Sequence, residues 1–263
     1  MGVWGKKNFF QEVFFPHEKN EKNKKTKNAI TEKNMLFNLL MTGNIQGAII
    51  TFLLSVPIII LILSVHEYAH GIVAKKLGDP TAENFGRLTL NPLKHIDPIG
   101  FLMFIVIGVG YAKPVPINSR YFKKPKRDMA LVGAAGPLAN LTLALLFTFF
   151  IKLFYLLTPF LPATSPAWLP TALGYLYTIL YLGVYYNLAF MIFNLLPVPP
   201  LDGSRILYAF LPTKALLWVQ RYEQYFFFGL LGLFLVCSIF DISIIDRITD
   251  LIMNLLFKLF FII

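Results

Sequence analysis

The chain has 263 residues, of which 56% are hydrophobic and only 14% charged, with a mean hydropathy of +0.63. Ordinary globular proteins carry about 45–50% apolar and about 25% charged residues, so a soluble domain is excluded and a membrane protein expected. The net charge of +10 does not signify nucleic acid, because Lys and Arg stand in short clusters between apolar runs, as they do beside membrane segments.

Residues 1–34 hold eight Lys and four Glu, a net charge of about +4. They read as a surface-lying tail near anionic lipid, not as a cleaved signal peptide. Residues 35–41 are apolar but too short to span, so 1–44 is expected to form a basic N-terminal tail with an interfacial helix; the charge rule would put that tail outside unless residues 35–47 help to form another crossing. The first spanning segment is Ala48–Val65, without a charge. It continues as helix through His66-Glu67-Tyr68-Ala69-His70 to Lys75-Lys76, with a kink expected at Pro57. Gly78-Asp79-Pro80 then ends the helix.

Asn84–Leu90 and Ala112–Asn118 read as extended, and are expected to pair as a small β-hairpin at the cytoplasmic membrane edge. Its free edge would bind an unwound substrate by strand addition. Between them, Ile99–Ala112 is too short and Gly-rich for a span and reads as a re-entrant or interfacial hairpin. Residues 113–127 carry basic residues and no acidic one. Met129–Ile151 is the second clear span, with Gly133, Gly136, Pro137 and Asn140. Thr171–Leu196 is the third, closing in Pro197-Val198-Pro199-Pro200-Leu201-Asp202-Gly203, and Tyr225–Phe240 is a shorter fourth. Residues 241–263 end the chain as an apolar helix. The single cysteine, Cys237, excludes an intramolecular disulfide and a cysteine-built zinc site.

Two histidines four apart on a helix share one face, so His66 and His70 can meet one metal ion, and Glu67 can reach a water there and take its proton. A polar patch packed between helices is the plainer reading. It fits poorly, because three ionisable groups after an apolar span are costly unless functional. A catalytic zinc takes three protein ligands. Of the remaining candidates, His17 lies in the tail and His95 in a turn rich in proline, which leaves Asp202. Its carboxylate follows prolines that break the third span, at the same membrane end as His70. The alternative is an ordinary helix stop with Asp202 as cap. At 1.5 Å per residue His66 lies about 13 Å and His70 about 8 Å below Lys75, which buries the metal near the cytoplasmic side. Asn140 is expected to face the zinc cavity and donate to the oxyanion or substrate carbonyl, and Asn194 to hold the broken backbone near Asp202. Interhelical hydrogen bonds are the alternative for both.

HEYAH (66–70), GAAGPLAN (133–140) and FNLLPVPPLDGSRIL (193–207), in this order, resemble the site-2 protease family. GDPTA, GRLTLNPLKHIDPIG and AKPVPIN resemble its compact members without a PDZ domain. The resemblance covers about residues 45–240. It implies one zinc ion per chain held by His66, His70 and Asp202, Glu67 as base, and membrane-anchored protein substrates cut within or near the bilayer.

The expected fold is an all-α polytopic membrane protein: a three-span catalytic core, additional helices and the small β-hairpin. Its divisions are 1–44 (tail), 45–240 (membrane-embedded zinc protease core) and 241–263 (C-terminal apolar helix). Basic clusters at 75–94, 113–127 and 205–221 place the active site towards the cytoplasmic side of a multi-pass protein of the cell membrane. The expected partners are membrane-anchored substrates and the lipid bilayer, with no nucleic acid; the sequence leaves the oligomeric state open. Two other functions compete: a catalytically silent protein that binds membrane helices, against which the intact Glu67 speaks, and a metal transporter, which needs polar groups spread along several spans.

Overall fold

The computed structural model describes residues 45–100, 102, 112–161, 166–240 and 244–261. The basic tail over 1–44 and most of the re-entrant stretch expected over 99–112 lie outside these residues. In chain order the helices are α1 (Ile45–Lys76), α2 (Thr81–Asn84), α3 (Pro125–Leu157), α4 (Leu169–Asn194), α5 (Asp202–Tyr208), α6 (Thr213–Arg221), α7 (Glu223–Ile239) and α8 (Ile244–Phe261). Short 3-10 turns occupy Pro92–Lys94, Ser119–Tyr121 and Thr158–Phe160.

Among the described residues, α1, α3 and α4 are long and apolar enough to cross a membrane. At 1.5 Å per residue the 32 residues of α1 reach about 48 Å, beyond a hydrocarbon core of roughly 30 Å, so HEYAH sits in a helix that runs on past its apolar part. The few hydroxyls on the way are satisfied inside the helix: Thr51, Ser55 and Ser64 donate to the carbonyls of Gly47, Thr51 and Ile60 at 2.9, 2.6 and 2.7 Å. Where α1 stops, Gly78 adopts φ +107°, which favours glycine over any residue with a Cβ. α3 starts on Pro125, and Asp128 in its first turn accepts the Lys124 N–H at 2.9 Å. The fourth apolar run forms α7, whose 17 residues put it at the short limit of a span. α8 carries charges along one side and lies against α3 and α4, where the Tyr185 hydroxyl donates to Asp246 Oδ1 at 2.8 Å.

α3 is the hub, packed against α1, α4 and α5. Its Ala144 and Ile151 interlock with Val184, Leu188 and Ile192 of α4 and Met253 of α8, while Ile58 and Ile62 of α1 meet Leu182 of α4. Lipid replaces water as the outer solvent, so side chains such as Leu138, Leu145, Phe149 and Phe150 stay exposed on α3.

The small β-hairpin is not formed: the described residues contain no strand. α2 takes up Thr81–Asn84, Gly86 turns the chain at φ +62°, and a 3-10 turn follows at Pro92. The two segments meet only at an isolated antiparallel bridge between Ile96 and Ala112 and at the Lys113 N–H donated to His95 O. Pro114 and Pro116 explain the failure. They lack N–H groups, so 112–118 cannot supply a run of ladder donors.

Candidate active site

Three elements bring the predicted ligands together. His66 and His70 share one face of α1, one turn apart, with ring centroids 4.6 Å from each other. After Asn194 the prolines end α4, and the chain turns so that Asp202 opens α5. Asp202 is the first residue of α5 and Leu201 is its N-cap, so the carboxylate does not stand at the cap position. Instead Oδ2 lies 3.0 Å from Nε2 of His66 and 3.0 Å from Nε2 of His70, and the two Nε2 atoms are 3.0 Å apart. All three residues are buried. The turn that delivers Asp202 leaves no room for a side chain at Gly203, whose Cβ would collide with the carbonyls of Leu195 and Leu196.

α3 forms the floor. A Cβ at Gly136 would lie 2.5 Å from His66 Cε1 and 2.5 Å from His70 Nε2, so only glycine lets the helix approach the imidazoles. Gly133 does the same for α5, where a Cβ would fall 2.9 Å from that of Arg205 and 3.0 Å from Asp202 O. The backbone of α3 also orients a ring. His70 Nδ1–H donates to Val132 O at 2.7 Å, and a neutral imidazole protonated there carries its lone pair on Nε2. Asn140, fully buried, sets its amide nitrogen 3.2 Å from His66 Nδ1, while its Oδ1 has no partner among the described residues. The Phe190 ring meets His66 edge-on at 5.5 Å.

These residues fit a zinc ion. Two imidazole nitrogens and one carboxylate oxygen face one point, spaced close to atoms that share a metal at about 2.0–2.1 Å. Imidazoles protonated on Nδ1 turn lone pairs from both Nε2 atoms towards the carboxylate, and three acceptors facing one point call for a cation. Among the described residues no other group of His, Cys, Asp or Glu converges in this way. Arg205 stands behind the cluster, its Nη1 3.4 Å from Asp202 Oδ1.

Glu67 sits beside the ligands on α1, and its Oε2 accepts the backbone N–H of Val115 at 2.8 Å. Asn194 stays apart from the cluster: its amide donates to Phe190 O, one turn back in α4, at 2.9 Å. His95 is buried away from the site and bonds to Thr89 O at 2.7 Å. The Val132 carbonyl and the Val115 amide are backbone atoms, so no residue type announces them; a glycine one turn before Asn140 was the only available hint of the α3 floor.

The sequence matches peptidase family M50 over residues 54–236. It is 42% identical to the Bacillus subtilis protein named "Putative zinc metalloprotease YwhC" over 177 residues, 67% of this chain and 77% of that one. It is 33% identical over 149 residues to the Rip2 protein of Mycolicibacterium smegmatis, which carries the same zinc metalloprotease description; the match spans 54% of this chain and 51% of Rip2. A Methanocaldococcus jannaschii protein so described, MJ0611, is 30% identical over 142 residues, 54% of this chain and 62% of its own. No solved structure matches the chain.

Proposed function

The chain belongs to peptidase family M50, the site-2 protease family, and on that premise we propose that it is an intramembrane endopeptidase that hydrolyses membrane-anchored proteins within or beside the bilayer. At the coarser level it is a multi-pass membrane protein and a zinc-dependent metalloprotease. His66, His70 and Asp202 hold one zinc ion, and Glu67 is the base. The observation that carries this reading is the convergence of two Nε2 atoms and one Oδ2 atom, from helices far apart in sequence, next to a glutamate.

Zinc bound there would polarise a scissile carbonyl and acidify a water. The protein supplies the rest. Val132 O and the Asn140 amide orient the two imidazoles from behind, as outer partners of ligating histidines do. An amide rotation, which exchanges two atoms of nearly equal shape, would turn the unpartnered Oδ1 towards His66 Nδ1–H and keep the His66 lone pair on Nε2, which makes Asn140 a positioning residue. Glu67 takes a proton from the attacking water and returns it to the leaving amine. Burial excludes bulk water from the ligands and strengthens each of these interactions. A substrate helix must unwind to present its carbonyl, since helical carbonyls are already bonded.

We assign residues 45–240 to the protease core, 1–44 to a basic tail and 241–263 to an accessory helix, and we place the active site towards the cytoplasm. The metal-transporter reading has no support in the apolar part of α1, where Thr51, Ser55 and Ser64 donate to carbonyls of their own helix. The test is purified protein in detergent with a quenched fluorogenic single-span peptide, broken by Asn-Pro near its polar end. The wild type should cut it, and Glu67→Gln should keep about one zinc per chain and lose at least about a hundredfold in rate. Cleavage by Glu67→Gln at the wild-type rate overturns the assignment.

A further inference from the structure

Glu67 is not free on the face of α1: it is fastened to a backbone segment that is itself held by a buried cation. Arg87 is 9% exposed, and its Nη2 donates to Lys113 O at 2.7 Å and to Pro114 O at 3.2 Å. The next residue, Val115, gives its N–H to Glu67 Oε2 at 2.8 Å. Pro114 and Pro116 flank Val115, so this N–H is the single donor between Lys113 and Ile117. The segment is tied at both ends, by Lys113 N–H to His95 O at 2.8 Å and by Asn118 N–H to the buried Asp79 Oδ2 at 2.7 Å. It also packs against Gly71, one turn beyond Glu67, where a Cβ would lie 3.0 Å from Leu88 and 3.4 Å from Val115.

We propose that Arg87 is a positioning residue for the base: it fixes the Lys113–Val115 backbone so that the Val115 N–H holds Oε2 of Glu67 and leaves Oε1 to take the proton. The inference rests on the reading of Glu67 as base. A guanidinium is a costly way to hold two neutral carbonyls. Arg87 has no carboxylate partner among the described residues, and its buried Nε has no hydrogen-bond partner there. Both bonds leave one nitrogen, Nη2, whose N–H groups are fixed in the guanidinium plane, a geometry that a freely rotating ammonium reproduces only in part. Proton transfer is sensitive to placement at the level of fractions of an ångström, which is what such a brace controls.

The test measures kcat, KM and zinc content on the same single-span peptide for the wild type, Glu67→Gln, Arg87→Lys, Arg87→Gln, Val115→Pro and the Arg87→Gln/Val115→Pro double variant. Val115→Pro deletes the N–H and leaves Arg87 in place. Arg87→Gln and Val115→Pro should each lower kcat about tenfold, with KM within about twofold and one zinc per chain retained. Arg87→Lys should recover part of the loss, and the double variant should be no slower than Val115→Pro alone, because both act on one bond. Wild-type kcat in Arg87→Gln beside an inactive Glu67→Gln overturns the proposal but spares the base. So do losses that multiply in the double variant, or loss of zinc from Arg87→Gln, which would make Arg87 a prop of the metal ligands. An active Glu67→Gln instead removes the reading beneath it.

Discussion

At Gly136 a helix comes within a methyl group's width of two imidazoles, so its missing side chain matters as much as the ligands do. Gly136→Ala would set a Cβ 2.5 Å from both His66 Cε1 and His70 Nε2. Ring atoms held by Val132 O and Asn140 have little freedom to yield. The variant should therefore lose zinc, with an affinity reduction of at least about 10–100-fold, as when an outer partner of a ligand is displaced. Equilibrium dialysis against a zinc chelator reads this directly, and wild-type affinity would mean that α3 is not the floor of the site. Asp202 shows the same economy of placement. Its Oδ2 lies buried 3.0 Å from Nε2 of both His66 and His70, where a carboxylate can complete a ligand set with two imidazoles.

The element that organises the molecule is α3, and its contact with α4 depends on another absent side chain. A Cβ at Gly183 would fall 2.6 Å from the Phe147 ring. Gly183→Ala should push the two helices apart and cost about 1–3 kcal/mol, read as a lower melting temperature in detergent. Gly229→Ala in α7, where a methyl would meet nothing within 4 Å, is the control and should leave the melting temperature unchanged.

The long elements were legible because their signals are local. Apolar runs of spanning length mark α1, α3 and α4, and the four-residue spacing of His66 and His70 puts both on one face. Asp202 was legible for a different reason: prolines 197, 199 and 200 cannot continue α4, so the chain had to turn a side chain back. The hairpin was misread because Asn84–Leu90 and Ala112–Asn118 look extended, while the deciding facts are the missing donors of Pro114 and Pro116 and the turn at Gly86. The brace from Arg87 through Val115 to Glu67 left no trace in the pattern, since two of its links are main-chain atoms. The spacing places Asn140 beside the metal cavity; that its amide meets His66 Nδ1 depends on the helix rotation about Gly136, which spacing alone does not give.

At the scale of the whole molecule, the C-terminal end of α1, the first turns of α3 and the start of α5 meet at one end of the bundle. Basic residues crowd the same end, at Lys75, Lys76, Lys124, Lys126 and Arg127, and by the bias of Lys and Arg in membrane proteins that end should face the cytoplasm. A cysteine placed at Lys123, in a Cys237→Ser background, should be reached by an impermeant thiol reagent only after cells are opened. A cysteine at Phe160, at the far end of the same span, should react in intact cells. The reverse pattern would invert the molecule and move the chemistry to the opposite face.

If α1 and α5 share one zinc ion between His66, His70 and Asp202, X-ray absorption at the zinc edge of the purified protein reads that ligand set itself. The expected result is about one zinc per chain, two imidazole nitrogens at about 2.0–2.1 Å, oxygen ligands at about 2.0–2.2 Å, and loss of the metal in Asp202→Ala. Zinc that remains at full occupancy with an unchanged spectrum in Asp202→Ala, or a wild-type spectrum without the imidazole pair, would contradict it.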